Sequence, residues 1–378
     1  MRVLVAPDKF KGTLTAPEAA EAIATGWRRG DPSSEIEIIP MADGGEGTLE
    51  ALVSGVGGER FRERVAGPLD EPVDAEFAVV RAPEGPTGVV EMARASGLEL
   101  LPTARRDPRR TTTRGTGELI LAACRRGARR VLVCIGGSAT NDAGAGMAQA
   151  LGVRLLDREG RQLRSGGAAL LELSRIDVTR IDPLVRDVEF VAATDVDNPL
   201  VGPRGASAVY GPQKGASPED VHLLDEALRH FAAVVYRDLG VDIRDMPGAG
   251  AAGGLGGGLV AFLGARLRSG VDVVMEAVRL KERMQGIALV ITGEGAFDEQ
   301  SLRGKAPAGV LRMAEELRIP AMVLCGEQRV DRPGTKIWSL AERFGREAAR
   351  ERARQLLAEL AAEAARETRM ERVGGQGG

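Results

Sequence analysis

The chain has 378 residues, of which 43% are apolar and 3% aromatic, and its formal net charge at pH 7 is −3. This length predicts two domains, because single hydrophobic cores stop growing at roughly 250–300 residues. The charge argues against a nucleic-acid or anionic-membrane partner, since no sustained basic face accompanies it.

Neither export nor membrane insertion is predicted from the sequence. The segment 1–8 is predicted as a short strand, too brief for a signal peptide, and no apolar stretch approaches the ~20 residues of a membrane span. Cys124, Cys134 and Cys325 form no metal-binding or redox pattern, which is typical of core residues in a reducing compartment. We therefore expect a cytoplasmic protein.

Short aliphatic strands alternate with helix patterns along the chain. The first strand, Val3–Ala6, is followed by a helix that opens with the capping box Thr15-Ala-Pro-Glu18. Its apolar residues recur at helical spacing from Ala20 to Trp27, which is typical of a helix packed on a sheet. The other predicted strands are Ile36–Ile39, Val89–Met92, Val131–Ile135, Val188–Ala192, Leu289–Thr292 and Met322–Leu324.

Most of these strands are followed by polar turns, namely 43–46, 136–142, 194–198 and 294–298. Continuous apolar strands separated by helices indicate a parallel sheet covered on both faces. In such sheets ligands bind beyond the carboxyl ends of the strands. The polar turns therefore fall where a binding site is expected.

The domain organisation is predicted from these elements. We expect a Rossmann-like three-layer α/β domain made of residues 1–68 and 280–378, with a second α/β domain, residues 69–279, inserted into it. Residues 340–373 are predicted as a long surface helix with a break near Gly345, and the glycine-rich tail, 374–378, as disordered.

Only six of the 51 basic residues are lysines, and four of the six lie in short turns rich in Gly, Asp or Glu. These four are Lys9, Lys11, Lys214 and Lys305. Lysine is a compact, movable charge that suits phosphate, whereas arginine is a rigid fork. The alternative interpretation is that these are ordinary exposed lysines without a function. The pattern indicates an anion site, and phosphate fits it best.

Histidine chemistry is excluded by the position of the two histidines. His222 and His230 fall in an amphipathic helix that begins after Ser217, so we interpret both as helix-face residues. These positions argue against a Ser-His-Asp triad and a histidine base, and Gly136–Thr140 does not complete a G-x-S-x-G elbow. The proton acceptor of an enzyme with this sequence should be a carboxylate.

Glycine-rich runs leave one alternative function open. Gly248–Gly253 satisfies G-x-G-x-x-G, but the preceding residues 241–247 form a poor strand that ends in proline. A NAD-dependent hydroxy-acid dehydrogenase therefore stays an alternative, as does a non-catalytic small-ligand-binding protein. Gly253–Gly258 is interpreted as a close-approach loop that leads into a helix N-terminus, where an anion is favoured. Walker A and protein-kinase motifs are absent from the sequence.

Six longer motifs resemble those of the bacterial type I glycerate kinases (glycerate 2-kinases), in the family's order, from residue 1 to about residue 325. The motifs are Ala6–Leu14, Met41–Thr48, Gly136–Met147, Asp195–Leu200, Tyr210–Ala216 and Thr292–Pro307. The chain departs from the family pattern at Ala143, at Thr194 and at the extra glycine of 256–258. The resemblance implies ATP- and Mg²⁺-dependent phosphorylation of D-glycerate, usually at the 2-hydroxyl, on two α/β domains with the site in the cleft between them.

Phosphoryl transfer needs cations for the transferring group, carboxylates for Mg²⁺ and a group that accepts the proton. From the motifs we predict catalytic roles for Asp8, Lys11 and Asp195. The predicted ATP contacts are Ser138, Asn141, Lys214, Gly293, Glu294 and Lys305. The predicted glycerate contacts are Asp43, Asn198 and Arg303, with Arg114 as a second candidate for the substrate carboxylate. The predicted Mg²⁺ ligands are Asp195, Asp197, Glu294 and Asp298.

These acids have an alternative role as helix caps, which we weigh for Asp8, Asp142, Asp195 and Asp298. The sequence does not separate the base from the metal ligands. It also leaves the oligomeric state open, with a homodimer among the options.

Overall fold

The computed structural model describes residues 1–302 and 304–374, so Arg303 and residues 375–378 of the predicted tail lie outside the described residues. In the described part, no helix is both long and apolar enough to cross a membrane. The chain forms two compact units. The first comprises Met1–Asp43, Glu50–Gly57 and the chain from Val271 onward, and the second comprises Gly44–Leu49 and Gly58–Gly270. The predicted domain boundaries at 68/69 and 279/280 stay a prediction.

The strands are β1 (Arg2–Val5), β2 (Glu35–Ile38), β3 (Gly58–Ala66), β4 (Pro72–Ala82), β5 (Gly85–Glu91), β6 (Arg130–Cys134), β7 (Arg154–Leu156), β8 (Arg175–Asp177), β9 (Glu189–Ala193), β10 (Arg266–Arg268), β11 (Leu289–Phe297), β12 (Ala321–Gln328) and β13 (Lys336–Ser339). The helices are α1 (Ala16–Gly30), α2 (Thr48–Val56), α3 (Ala93–Ser96), α4 (Arg114–Arg125), α5 (Ala145–Ala150), α6 (Ala206–Tyr210), α7 (Pro218–Leu239), α8 (Leu255–Leu263), α9 (Gly270–Ala277), α10 (Leu280–Arg283), α11 (Ala306–Glu316), α12 (Leu340–Phe344), α13 (Arg346–Glu351) and α14 (Ala353–Gly374).

The first unit is built on a five-stranded sheet with the order β13-β12-β11-β1-β2, in which all neighbours are parallel. Helices α1 and α14 cover one face with a core that includes Val3 and Leu324. Helix α11 covers the other face, where Leu311 packs against Val323. The predicted α/β fold with a parallel sheet is confirmed for this unit.

The sheet of the second unit is mixed, and the predicted α/β class holds for this unit as well. Its order is β10-β9-β6-β5-β4-β3, with β3, β4 and β5 pairing antiparallel and the others parallel. Strand β3 was missed because it alternates charged and apolar residues at a sheet edge, so it has no continuous apolar run. Between β6 and β9 the chain forms a small antiparallel pair, β7 and β8.

Both predicted helix starts are confirmed by their caps. The Thr15 hydroxyl accepts from the Glu18 backbone N–H, while the Glu18 carboxylate accepts from the Thr15 N–H at 2.9 Å. Ser217 and Asp220 make the same reciprocal pair at the start of α7. These caps depend only on residues three apart, which is why the sequence predicts them.

The C-terminal region is helical, as predicted, with one break more than expected. It is broken at Gly345, as expected, and again at Arg352. Helix α14 buries Leu357 and Leu360 completely against the first unit's core, while Arg354 and Arg366 on it are exposed. A Cβ atom at Gly26 of α1 would lie 2.0 Å from the carbonyl oxygen of Ala358. The absence of a side chain at Gly26 therefore allows α1 and α14 to pack backbone against backbone.

We expect Gly26→Ala to lower the free energy of unfolding, although alanine is the better helix former by up to about 1 kcal/mol. Separating the two helices enough to admit the methyl group should cost about 1–3 kcal/mol and outweigh that gain. Urea unfolding of the parent and the variant measures whether the free energy of unfolding falls or rises. Glu21→Ala, on the exposed side of the same helix, is the matched control and should change stability by less than about 0.5 kcal/mol. A Gly26→Ala protein as stable as the parent would contradict the close packing.

Candidate active site

Asp8 lies just beyond the carboxyl end of β1 and is 4% exposed. Its N–H donates to the Gly293 carbonyl at 2.8 Å, and its Oδ1 accepts from the Lys9 N–H at 2.7 Å. Burial, and secondarily the charge of Asp43, raise the pKa of Asp8 to about 7. A buried carboxyl group with a pKa near neutrality is suited to accepting a proton at physiological pH.

Asp43 follows β2 in the same unit and faces Lys9, whose Nζ lies 4.0 Å from the Asp43 Oδ1. The sequence marks Lys9 as one of the lysines in polar turns and predicts no specific role for it. Its position beside Asp43 and Asp8 makes it part of the same charged group. Because Lys9 lowers the pKa of Asp8 less than burial raises it, Asp8 keeps an elevated pKa.

Glu294 lies inside β11, because this strand continues to Phe297 rather than ending at Thr292 as predicted. Its side chain is buried, and burial raises its pKa. The Oε2 atom lies 3.2 Å from the Nζ of Lys305. The Oε1 atom is buried and has no hydrogen-bond partner among the described residues. A buried oxygen atom without a hydrogen-bond partner destabilises the folded protein unless a ligand or an ion binds to it.

Lys305 is the N-cap residue of α11, and it contacts two acids. Its Nζ lies 3.2 Å from Glu294 and 3.6 Å from the Oδ1 of Asp298. Burial alone would lower the pKa of Lys305, but these two carboxylates outweigh burial and raise it. Asp298 also accepts the backbone N–H groups of Gln300 and Ser301, so the capping role weighed for it is present beside the ion pair.

Two further predicted residues of the first unit have different surroundings. Lys11 is exposed in the turn after β1, next to Gly12, whose φ of +81° favours glycine. Gly293 is required by packing, since a Cβ atom there would lie 1.9 Å from the carbonyl oxygen of Leu324. The first unit therefore brings together Asp8, Asp43, Glu294, Asp298 and Lys305, at the carboxyl ends of β1, β2 and β11.

In the second unit, Lys214 is buried rather than exposed to a ligand. Its Nζ donates to the Ser138 Oγ at 3.0 Å and to the Thr140 carbonyl at 2.7 Å. Burial lowers the pKa of Lys214 to about 7. Because the amine is bonded to the loop that follows β6, we expect Lys214 to hold that loop in place, and its predicted contact with ATP stays a prediction.

The same loop contains two more buried polar residues. Asn141 donates to the Ser207 hydroxyl at 3.0 Å, while its Oδ1 atom has no hydrogen-bond partner among the described residues. Asp142 is completely buried and accepts the backbone N–H groups of Gly144 and Gly146 at the start of α5. Asp142 also accepts from the N–H and the hydroxyl of Thr113 at 2.8 and 2.9 Å, so its bonds join the loop before α4 to the start of α5.

The turn after β9 carries Asp195, Asp197 and Asn198. The two aspartates are exposed; Asp195 accepts the Gly270 N–H at 3.1 Å, and Asp197 lies 3.6 Å from Arg204. Asn198 accepts from the Tyr210 hydroxyl at 2.7 Å. No group of three or more His, Cys, Asp or Glu side chains within residues 1–302 and 304–374 is arranged to hold a metal ion. The roles predicted for these three residues stay predictions, and Arg303 lies outside the described residues.

The glycine run of the dehydrogenase alternative lacks its structural context. Residues 241–247 form no strand before Gly248–Gly253, and α8 begins only at Leu255. A dinucleotide fingerprint requires a strand that leads into the glycines and a helix that starts within them. The predicted close approach is confirmed instead, since a Cβ atom at Gly253 would lie 1.9 Å from the Thr140 carbonyl oxygen.

Buried carboxyl groups beside lysines, at the carboxyl ends of a parallel sheet, define the site of an α/β enzyme for an anionic substrate. Comparison with known proteins specifies the family. Residues 3–369 match the model of the glycerate kinase family. A glycerate kinase from Halalkalibacterium halodurans is 48% identical over 324 residues, which are 86% of this chain and 85% of that protein.

Two further relatives agree. The glycerate 2-kinase of Escherichia coli is 48% identical over 326 residues, which are 86% of this chain and 85% of that protein. A crystal structure described as that of a glycerate kinase 2 from Salmonella typhimurium has a TM-score of 0.89 and 41% identity, covering 100% of this chain and 99% of that one. The chain belongs to the glycerate kinase family, and it is a phosphotransferase that acts on glycerate.

We expect Asp8→Asn to stabilise the protein at pH 8 and to have little effect at pH 4. A folded-state pKa near 7, above the ordinary value of 3.8, means that the native protein binds this proton more tightly than the unfolded chain does. Stability contributed by the protonated group is therefore lost as the pH rises from about 4 to about 7. Asparagine removes the buried charge, and the gain at pH 8 should be on the order of 2–4 kcal/mol.

Urea unfolding of parent and variant at both pH values tests this expectation. Glu21→Gln, at an exposed acid of α1, should leave the pH dependence unchanged. A stability difference for Asp8→Asn that is the same at pH 4 and pH 8 would show that folding does not raise the pKa of Asp8.

Proposed function

We propose that the protein transfers the γ-phosphoryl group of ATP to the 2-hydroxyl group of D-glycerate in a reaction that requires Mg²⁺. The observation that carries this proposal is the buried carboxyl group of Asp8, with a pKa of about 7, in one unit with the ion-paired group Glu294, Asp298 and Lys305. The 2-hydroxyl is chosen because the E. coli relative is a glycerate 2-kinase.

Asp8 acts as the proton acceptor in this proposal. As the substrate hydroxyl oxygen attacks the γ-phosphorus, its proton passes to the Asp8 carboxylate, an O–P bond forms, and the bond from the γ-phosphorus to the bridging oxygen breaks to release ADP. Lys11 and Lys305 supply positive charge to the transferring group, where phosphoryl transfer needs it most. Lys305 is held by Glu294 and Asp298 and is therefore already oriented before substrates bind.

The residues fit a Mg²⁺ ion that binds together with ATP. The unpaired Oε1 atom of Glu294 is a hard oxygen ligand without a partner among the described residues, and Asp298 offers a second carboxylate beside it. Mg²⁺ usually takes only one or two carboxylates and completes its shell with phosphate oxygens and water. The ion would neutralise charge on the phosphates. Glu294 and Asp298 would hold it. The Mg²⁺ roles of Asp195 and Asp197 stay predictions from the sequence.

Glycerate recognition is assigned to Asp43, Asn198 and Arg303, as the motifs predict. The carboxylate of glycerate suits a bidentate contact with an arginine. The cytoplasmic location and the homodimer option stay predictions from the sequence.

An assay of ADP formation with a panel of hydroxy acids tests the proposed function. With ATP, Mg²⁺ and D-glycerate we expect ADP and 2-phosphoglycerate, identified by phosphorus NMR, and no activity in excess chelator. Undiminished ADP formation in chelator would contradict the role of Mg²⁺, and 3-phosphoglycerate as the product would contradict the chosen hydroxyl group. Reduction of NAD by hydroxy acids without ADP formation would favour the dehydrogenase alternative, and absence of both reactions would favour a non-catalytic binding protein.

We expect Lys11→Ala and Lys305→Ala to lower kcat/KM by about 10²–10³, because each loses a charged contact worth on the order of 3–4 kcal/mol to the transferring group. Lys281→Ala and Lys336→Ala are the controls. Lys281 is exposed on α10, and Lys336 pairs with Glu371 of α14. Both should keep parental activity, with stability changed by no more than about 0.5 kcal/mol. Steady-state kinetics on the four folded variants test this expectation. If all four keep the parental kcat/KM, the phosphates are bound by arginines and backbone amides instead of these lysines.

A further inference from the structure

A cavity of about 500 Å³ opens at the carboxyl ends of three neighbouring parallel strands of the first unit. Its lining includes the turn after β1, the ends of β11 and β12, and the helices α12 and α13. This volume lies within the usual range of small-molecule sites, and the carboxyl end of a parallel sheet is the edge at which such sites occur.

Positive charge dominates the rim of this cavity. Four cationic side chains line it, Lys11, Arg329, Arg346 and Arg350, against the single carboxylate of Glu327. Glu327 lies 2.8 Å from Arg329 and 2.5 Å from Arg346, so it holds two of the arginines toward each other. Arg350 is four residues from Arg346 on α13 and therefore lies on the same face of that helix. The excess of positive charge selects for an anion that carries more than one negative charge.

The cavity also has an apolar wall, formed by Phe10, Leu340 and Ala349. Glycerate has three carbons and a polar group on each, so it would fill little of this volume and leave the wall bare. An adenine nucleotide offers both a flat apolar ring and a chain of phosphates. The combination of charge, volume and apolar surface therefore fits a nucleotide better than it fits the acceptor substrate.

The position of the cavity relates it to the acidic group of the same unit. Gly295 and Ala296, which line the cavity, directly follow Glu294 in β11. The cavity therefore adjoins the part of the strand that carries Glu294. The turn after β1 also connects the cavity with the acidic group, because Asp8 belongs to that group and Lys11, three residues later, lines the cavity.

We propose that this cavity binds the adenine nucleotide, with Arg329, Arg346 and Arg350 contacting its phosphates and Lys11 lying at the phosphate that is transferred. The inference rests on the proposed function, since it names where that function's phosphoryl donor sits. It adds three arginines to the site that no motif identifies.

Calorimetric titration of the full-length protein with ADP tests the assignment. Arg350→Gln should weaken ADP binding about tenfold or more, because a hydrogen bond to a charged phosphate is lost, and Arg350→Glu should weaken it further. The KM for glycerate should be unchanged in both. Arg343→Gln is the matched control, since Arg343 pairs with Glu363 on α14 and does not line the cavity. Urea unfolding verifies that each variant is folded.

The possible outcomes separate this inference from the proposed function. ADP affinities equal to the parental value in both Arg350 variants would overturn the cavity assignment, whether or not the parent phosphorylates glycerate. A parent that binds ADP through Arg350 but forms no ADP from ATP and glycerate would refute the proposed function while supporting the cavity as a nucleotide site. A change in the KM for glycerate with unchanged ADP binding would also overturn the assignment, since it would place the acceptor there.

Discussion

The candidate site depends on the parallel pairing of β1 with β11. The register aligns Val3 with Leu289 and Val5 with Ile291, so the residues that follow β1 run alongside the second half of β11. Asp8 then bonds to Gly293, and its pKa responds to Glu294 next to it. Because parallel strands end at the same edge, residues that are distant in sequence contribute to one charged group. Without this pairing neither acid would be buried beside the other.

Burying several acids in one place is unfavourable for folding, and the structure offsets the cost in specific ways. Lys305 lies between Glu294 and Asp298, and Lys9 accompanies Asp43 and Asp8. The compensation is incomplete, since the pKa values of Asp8 and Glu294 remain raised and one oxygen of Glu294 has no partner among the described residues. Destabilising features that the protein does not compensate are concentrated at functional sites, where a bound substrate or ion supplies the missing interactions.

Local patterns predicted a large part of the fold. The capping boxes at Thr15 and Ser217 involve residues three apart, and buried strands such as β6 and β9 are continuous apolar runs, so neither depends on the tertiary structure. Strands β3 and β4 escaped prediction because they pair through an antiparallel edge with charged residues. The sequence also could not predict which lysines are buried. Lys214 and Lys11 both lie in polar turns that contain glycine, yet only Lys214 is buried in the structure. The three arginines of the cavity could not be distinguished among the 45 in the sequence, because Arg329, which follows β12, meets Arg346 and Arg350 of α13 only in the folded chain.

The packing of α14 on α1 has a consequence for synthesis on the ribosome. The second unit is almost continuous in sequence, from Gly58 to Gly270, and it can complete its core while the nascent chain is still growing. The first unit cannot, because β11, β12 and α14 emerge after the second unit and must join β1 and α1, which emerge before it. Strand β1 and helix α1 therefore wait, with apolar residues such as Trp27 uncovered, until α14 has emerged. A ribosome that stalls shortly before α14 would release a chain with one finished unit and one that exposes its core to aggregation.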